Sequence, residues 1–441
     1  MLTRLGTRGN SPAVKFALAS FPEPFASGLE YAAPARGTWN IVHIGMLIPE
    51  AHEIFVCAAG CLRGVVLTAA EMGASDRFST VTICENNVLD GDMETLIIEG
   101  VSDILEKLPH MPPAVLVYTS CIHHFMGCDL DMVYRDLRAR FPTVAFTDCY
   151  MTPIMRKSGL TPDQIMRRQL YSLLEKRPLD PHCFNLIGIN DPLDETSELF
   201  TMIRENACEL REITRCKSYA DYQTLAESTA NISILPVAKA GGEFLESHLG
   251  QTHLYLPLCY GYHEIIENME KLADFLHAEK PNFEIQIANA EKALDAAKNV
   301  IGNTPIAIDY TAVPRPLGLA RLLLEHQFRV VQVYADSFSG EEQDDFAWLK
   351  LHTPELELLP TVQVQMRVLP RLSQGKLLAI GQKAAYFSGT SHFVNIVEGG
   401  GMYGFDGICR LAAQMTEAFL IEKDAKQLIQ NKGLGCTCCI Q

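Results

Sequence analysis

No apolar run in this 441-residue chain approaches the roughly 20 residues that a membrane-spanning helix requires. The first residues, MLTRLGTRGNSPAVKF, hold two arginines but no continuous apolar core and no cleavage site, so the expectation is a cytoplasmic protein without a secretory leader. Basic residues are in deficit, 37 against 53 acidic, for a net charge of −16. That balance argues against nucleic acid or an anionic membrane as the main partner. No GxGxxG and no GxxxxGK[ST] stands at any strand-to-helix turn, so neither a dinucleotide nor a nucleoside triphosphate is signalled. Aromatic residues make up 8% and hydrophobic residues 48%, which is ordinary for a globular protein too long for a single core.

Cysteine is what the chain has in excess, with 14 of them. In a reducing compartment, thiols serve as core residues or metal ligands more often than as disulfides. Cys149, Cys183, Cys208, Cys216, Cys259 and Cys409 lie in apolar or mixed surroundings and read as small packing residues. Three more, Cys436, Cys438 and Cys439, crowd the last residues with no second cluster at zinc-finger spacing.

From Trp39 onward, apolar runs alternate with helical patterns. Strands are expected near 40–45, 53–57, 79–84, 113–119 and 143–147, with helices near 61–72, 92–107 and 129–140. A second such series opens at Cys183 and a third at Thr304. The reading is an α/β protein of three consecutive Rossmann-like units, with parallel sheets around a central cleft. Its expected divisions are an irregular extension over 1–37, placed over a partner subunit, and units at 38–180, 181–302 and 303–441, the last with a C-terminal tail.

The segment Pro113–Asp131 organises this reading. An apolar strand stops at Thr119-Ser120-Cys121, where open α/β sheets place their chemistry. Cys57-Ala-Ala-Gly-Cys61 ends another apolar run and also leads into a helix. Iron–sulfur clusters need several thiolates on converging backbone, and Gly60 would let the chain approach closely. Cys121 and Cys128, seven apart, would share a face if the helix ran through Gly127. Cys84 ends a third strand and is a further candidate. Each of these cysteines taken singly reads equally well as a core residue. His123 and His392 are the candidate catalytic side chains, although such histidines commonly bond locally. The run Glu398-Gly399-Gly400-Gly401 fits either a tight loop or a close approach to a cofactor.

At these residues the sequence resembles the nitrogenase component 1 family, which includes cofactor-assembly and tetrapyrrole-reductase relatives. Val56-Cys57-Ala58-Ala59-Gly60-Cys61 is similar to the family's HGxxGC-like segment. Cys121-Ile-His-His-Phe-Met-Gly127-Cys128-Asp129 is similar to its CxxxxxGDD-like turn. Glu85-Asn-Asn-Val-Leu-Asp-Gly91-Asp92 resembles its acidic helix entry, and His392…Tyr403-Gly404-Phe405-Asp406-Gly407 its His…GYDG stretch. The chain departs from the family in lacking an earlier cluster cysteine around Thr38–Met46, where Cys57 stands in. It also lacks the cofactor cysteine in Asn231–Gly250, and it has Cys128 in place of an acidic residue.

The resemblance implies a reductase subunit with an iron–sulfur cluster, 4Fe-4S or larger, held by Cys57, Cys61 and Cys121, with Cys84 and Cys128 as added candidates and Gly60 and Gly127 beside it. The cluster would be shared with a homologous or identical subunit and would receive low-potential electrons from an ATP-hydrolysing iron protein. A second metallocofactor or a tetrapyrrole substrate would sit in the cleft. The alternative within the family is a non-catalytic scaffold for metallocofactor assembly. Outside it, the alternative is an α/β binding protein with structural cysteines.

Overall fold

Runs of Val, Ile, Leu and Phe mark the central strands of the first sheet, HEIFVCA and AVLVYTS. The structure, a computed structural model, describes residues 11–33, 35, 37–152, 159–369 and 375–424. The cysteines at 436, 438 and 439 lie outside them. The chain forms two compact units. One consists of Trp39–Pro192 and Ala207–Tyr255, and the other of the described parts of Met1–Thr38, Leu193–Asn206 and Leu256–Gln441.

A two-residue strand, β1 (Val14–Lys15), comes first and belongs to the second of these units. The other, two-sheet unit then begins with α1 (Ile41–Gly45), β2 (His52–Ala58), α2 (Ala59–Glu71), β3 (Phe78–Ile83), α3 (Glu85–Asp90) and α4 (Met93–Lys107). Next come β4 (Ala114–Ser120), α5 (Cys121–Met126), α6 (Leu130–Arg140) and β5 (Ala145–Met151). The four longer strands pair in the order β3-β2-β4-β5, all parallel. Alternation along β2 decides what each face meets. Ile54 and Val56 pack with Ile97 and Val101 of α4 and with Val133 and Leu137 of α6. Phe55 and Cys57 pack on the opposite side with Leu62 and Val65 of α2 and Val42 and Ile44 of α1. Cover on both faces explains the apolar runs of the two central strands, β2 and β4.

One expected strand is not there. Residues 40–45 form the helix α1, because the Asn40 side chain accepts hydrogen bonds from the Val42 and His43 backbone N–H groups at 3.0 and 3.3 Å. An N-cap of this kind outweighs the β-branched residues that follow.

The second sheet of this unit is built around β6 (Asp180–Ile187), β7 (Glu209–Glu212), β8 (Ser228–Ser233) and β9 (Thr252–Tyr255), with α7 (Pro162–Gln169), α9 (Tyr219–Gln223) and α10 (Lys239–Leu249); α8 (Glu198–Glu205) belongs to the other unit. Its order, β7-β6-β8-β9, repeats that of the first sheet.

The one-sheet unit adds α11 (Tyr262–Leu276), α12 (Glu284–Ile301), β10 (Pro305–Asp309), α13 (Pro316–Glu325), β11 (Arg329–Tyr334) and α14 (Gln343–His352). It ends with β12 (Glu357–Leu359), β13 (Leu378–Ile380), α15 (Gln382–Ser388), β14 (Phe393–Val394) and α16 (Gly404–Leu420). Its sheet runs β1-β12-β11-β10-β13-β14, parallel except at β1, which pairs antiparallel with β12. Within the segment before Trp39, Val14 and Lys15 thus pair with strand β12 of the same chain, and the Phe16 N–H donates to the Leu356 carbonyl at 3.0 Å. Among the described residues no helix is long and apolar enough to cross a membrane.

Candidate functional site

In the first sheet the chain moves from β2 outward to β3, then returns to the other side of β2 for β4. The gap between β2 and β4 is therefore the point where the strand order reverses. Loops leaving the two strands there diverge and open a crevice at the carboxyl edge of the sheet. Register fixes what flanks it. Val56 is level with Thr119, and Cys57 is level with Thr82. Cys57 thus lies at the β2 end, Cys61 follows within the first turns of α2, and Cys121 is the first residue after β4. Cys84 follows the end of β3, one strand further out.

These thiols sit in unlike surroundings. Cys57 is fully buried, while Cys61 and Cys84 are exposed and Cys121 is half-buried. Burial pushes the Cys57 thiol up to about 12, and the neighbouring Cys61 and Cys121 thiols add to the rise. A Cβ added at Gly60 would meet nothing within 4 Å, so no packing among the described residues accounts for a glycine there. Among the described residues, no group of three or more His, Cys, Asp or Glu side chains converges closely enough to hold a metal ion.

Cys128 does not share a helix face with Cys121. α5 stops at Met126, and Gly127 takes a left-handed conformation (φ 66°) that closes the helix, its N–H turned back to the His123 and His124 carbonyls. The glycine at 127 is explained by this cap. Cys128 instead packs, partly buried, against the apolar layer under α4 and α6, where burial raises its thiol and Glu94 adds to the rise.

His123 is buried and accepts a hydrogen bond at Nδ1 from the Ser120 N–H at 3.0 Å. Burial lowers its pKa, and its Nε2 has no partner among the described residues. His392, in the other unit, bonds the Ala418 carbonyl through Nδ1 at 3.0 Å and faces Glu422 at 3.5 Å through Nε2. Both of its nitrogens are used in holding the end of α16. The glycine run nearby is a tight turn: Gly399, Gly400 and Gly401 all have positive φ, and a Cβ at Gly399 would lie 2.8 Å from Leu258.

Sequence reasoning missed two features of the carboxyl edge. One is a cavity of about 510 Å³ walled by residues that follow β4 and by Tyr150 and Thr152 at the end of β5. The strand-end rule applied to β5 would have found the latter pair. The other is a set of exposed apolar side chains on α3 and α5, namely Leu89 (81% exposed), Phe125 (72%) and Met126.

A family model described as nitrogenase component 1 type oxidoreductase matches residues 42–420. Among solved structures, one described as "Nitrogenase Cp1 at pH 6.5" aligns with a TM-score of 0.66 at 14% identity, covering 90% of this chain and 94% of that one. Another, "Nitrogenase Cp1 at pH 5", gives 0.59 at 13% identity, covering 92% and 93%. At such identities the likeness is one of fold. No curated protein matches the sequence.

Proposed function

Since the chain belongs to the nitrogenase component 1 type oxidoreductases, we propose that it is a reductase subunit that holds an iron–sulfur cluster through Cys57, Cys61 and Cys121. The observation that carries this reading is the position of those cysteines on either side of the strand-order reversal between β2 and β4. An iron–sulfur cluster, when bound, supplies one-electron transfer at a potential set by burial and by hydrogen bonds to its sulfurs.

The donor set suits such a group. It is all thiol, one member is dry and one faces solvent, and Gly60 leaves space between them. Cys57 and the apolar layer behind it keep water from the inner side. Cys61 and Cys84 look outward, toward a homologous or identical subunit that would complete the ligand set. The exposed Leu89, Phe125 and Met126, on the helices after β3 and β4, offer that subunit apolar side chains. The chain has no phosphate-binding loop of its own, so a separate ATP-hydrolysing iron protein would deliver the electrons.

The deciding measurement is iron and acid-labile sulfide per chain on anaerobically purified protein, with an electron paramagnetic resonance spectrum. Stoichiometric iron and sulfide with a reducible signal is the expected result. A folded, colourless protein that stays iron-free after reconstitution would overturn the reading. Cluster-loaded protein that turns over no substrate with the ATP-dependent donor would place the chain among the family's scaffolds instead.

A further inference from the structure

The cavity at the carboxyl edge of the first sheet lies wholly within the two-sheet unit and is of a size that takes a small organic molecule. Its walls are Thr119 and Ser120 of β4, His123, His124, Gly127 and Cys128, Leu130 of α6, Tyr150, Thr152, and Ile165 of α7. None of the described residues lining it is Lys, Arg, Asp or Glu, although the chain as a whole carries a net charge of −16. Among the described residues the walls carry no formal charge, which disfavours a phosphate, a polycarboxylate or a polyamine, because none of these described side chains would pair a buried ion.

A second observation narrows the chemistry. His123 lines this cavity and is 1% exposed. The Ser120 N–H donates to its Nδ1, so the neutral ring carries its proton on Nε2. That N–H has no acceptor among the described residues. A buried donor left without an acceptor is unfavourable, and a ligand that supplies one is favoured over an analogue that lacks it. The nitrogen is shielded in the described conformation, so the ring must tilt toward the cavity to make the bond.

We propose that this cavity binds an uncharged, largely apolar small molecule whose carbonyl oxygen accepts the hydrogen bond of His123 Nε2. Because Ser120 forms part of the wall and Cys121 is the residue after it, the bound molecule would lie near one of the thiols assigned to the cluster. Binding itself is independent of the cluster; only a role for that molecule as electron acceptor rests on the reading above.

The test uses the full chain and benzophenone, a neutral apolar ketone that cross-links on irradiation. Label is expected in the peptides spanning 119–130, 150–152 and 159–169. Acetophenone should suppress it at concentrations at least about tenfold lower than ethylbenzene, which has the same shape without the oxygen, and benzoate should not suppress it. Ile165→Trp, which fills the cavity, should abolish labelling. His123→Leu should erase the preference for acetophenone while labelling persists; if that variant fails to fold, the competition series on the unmodified chain decides. Label elsewhere, no label, equal suppression by ethylbenzene, or stronger suppression by benzoate would each overturn the proposal. Because the iron content of the same preparation is measured separately, an empty cavity and an absent cluster are distinguishable.

Discussion

Cysteines of one chain can be sorted by what each would lose. Cys61→Ser and Cys121→Ser remove thiols at the strand-order reversal and should lower iron per chain by more than half, with a changed paramagnetic signal. Cys183→Ser should leave both unchanged, since Cys183 is buried in another sheet beside Asp180 and Glu209. Equal iron in all three variants would count against the assigned ligand set. Glu198 is a second residue with a readable role. Its Oε1 accepts the Asp406 N–H at 3.0 Å, and a Cβ on Gly404 would lie 2.2 Å from Oε2. Burial pushes its carboxyl up from 4.5 to about 7, against the hydrogen bonds it accepts at the start of α16. A raised carboxyl favours the folded state when protonated, so its contribution is complete below 4.5 and lost as pH rises through about 7. That rise corresponds to about 3 kcal/mol. Glu198→Gln should flatten this part of the stability profile, measured as denaturation midpoints between pH 4.5 and 8. An unchanged slope would show that Glu198 ionises normally.

At the scale of elements, the short helix α1 gives the clearest test. Asn40→Ala removes its cap and should destabilise the protein by about 1 kcal/mol in urea unfolding; a strand at 40–45 would hardly respond. The same element shows where sequence reading reaches its limit. Ile41, Val42 and Ile44 look like a strand because β-branched residues suit one, and only the side-chain bonds of Asn40 decide otherwise. Strands β2 and β4 were legible because burial on both faces leaves an apolar run, whereas β1 and β12, of two and three residues, carry no period to read. The site divides in the same way. That Cys57, Cys84 and Cys121 stand at strand ends, and Cys61 in the helix that follows, reads from local pattern. Which strands are neighbours depends on pairing across the chain, and no window of sequence contains it. The shared face once expected for Cys121 and Cys128 failed on a single torsion, the left-handed Gly127.

For the molecule as a whole, the outward-facing apolar side chains make an assembly prediction. Leu89→Asp combined with Phe125→Asp should reduce the mass in solution to that of one chain, 48.9 kDa, and lower bound iron with it. Sedimentation equilibrium on anaerobic protein reads the mass, and far-ultraviolet circular dichroism confirms that the fold is kept. A variant that keeps both the larger mass and the iron would place the subunit contact elsewhere.

The pairing of β1 with β12 also has a consequence for how the protein is made. On the ribosome, the two-sheet unit of Trp39–Pro192 and Ala207–Tyr255 has all its strands before residue 256 is synthesised, and it can close as a body while the chain is still growing. Val14 and Lys15 emerge near the start yet wait for Glu357 and Leu358, almost the last strand partners to appear. For most of translation the first strand is an open edge with nothing to pair with, the condition in which nascent chains recruit holdases or join wrongly to a neighbour on the same message. Synonymous codon changes that slow elongation after residue 255 should therefore lengthen that exposure and lower soluble yield without altering a single residue.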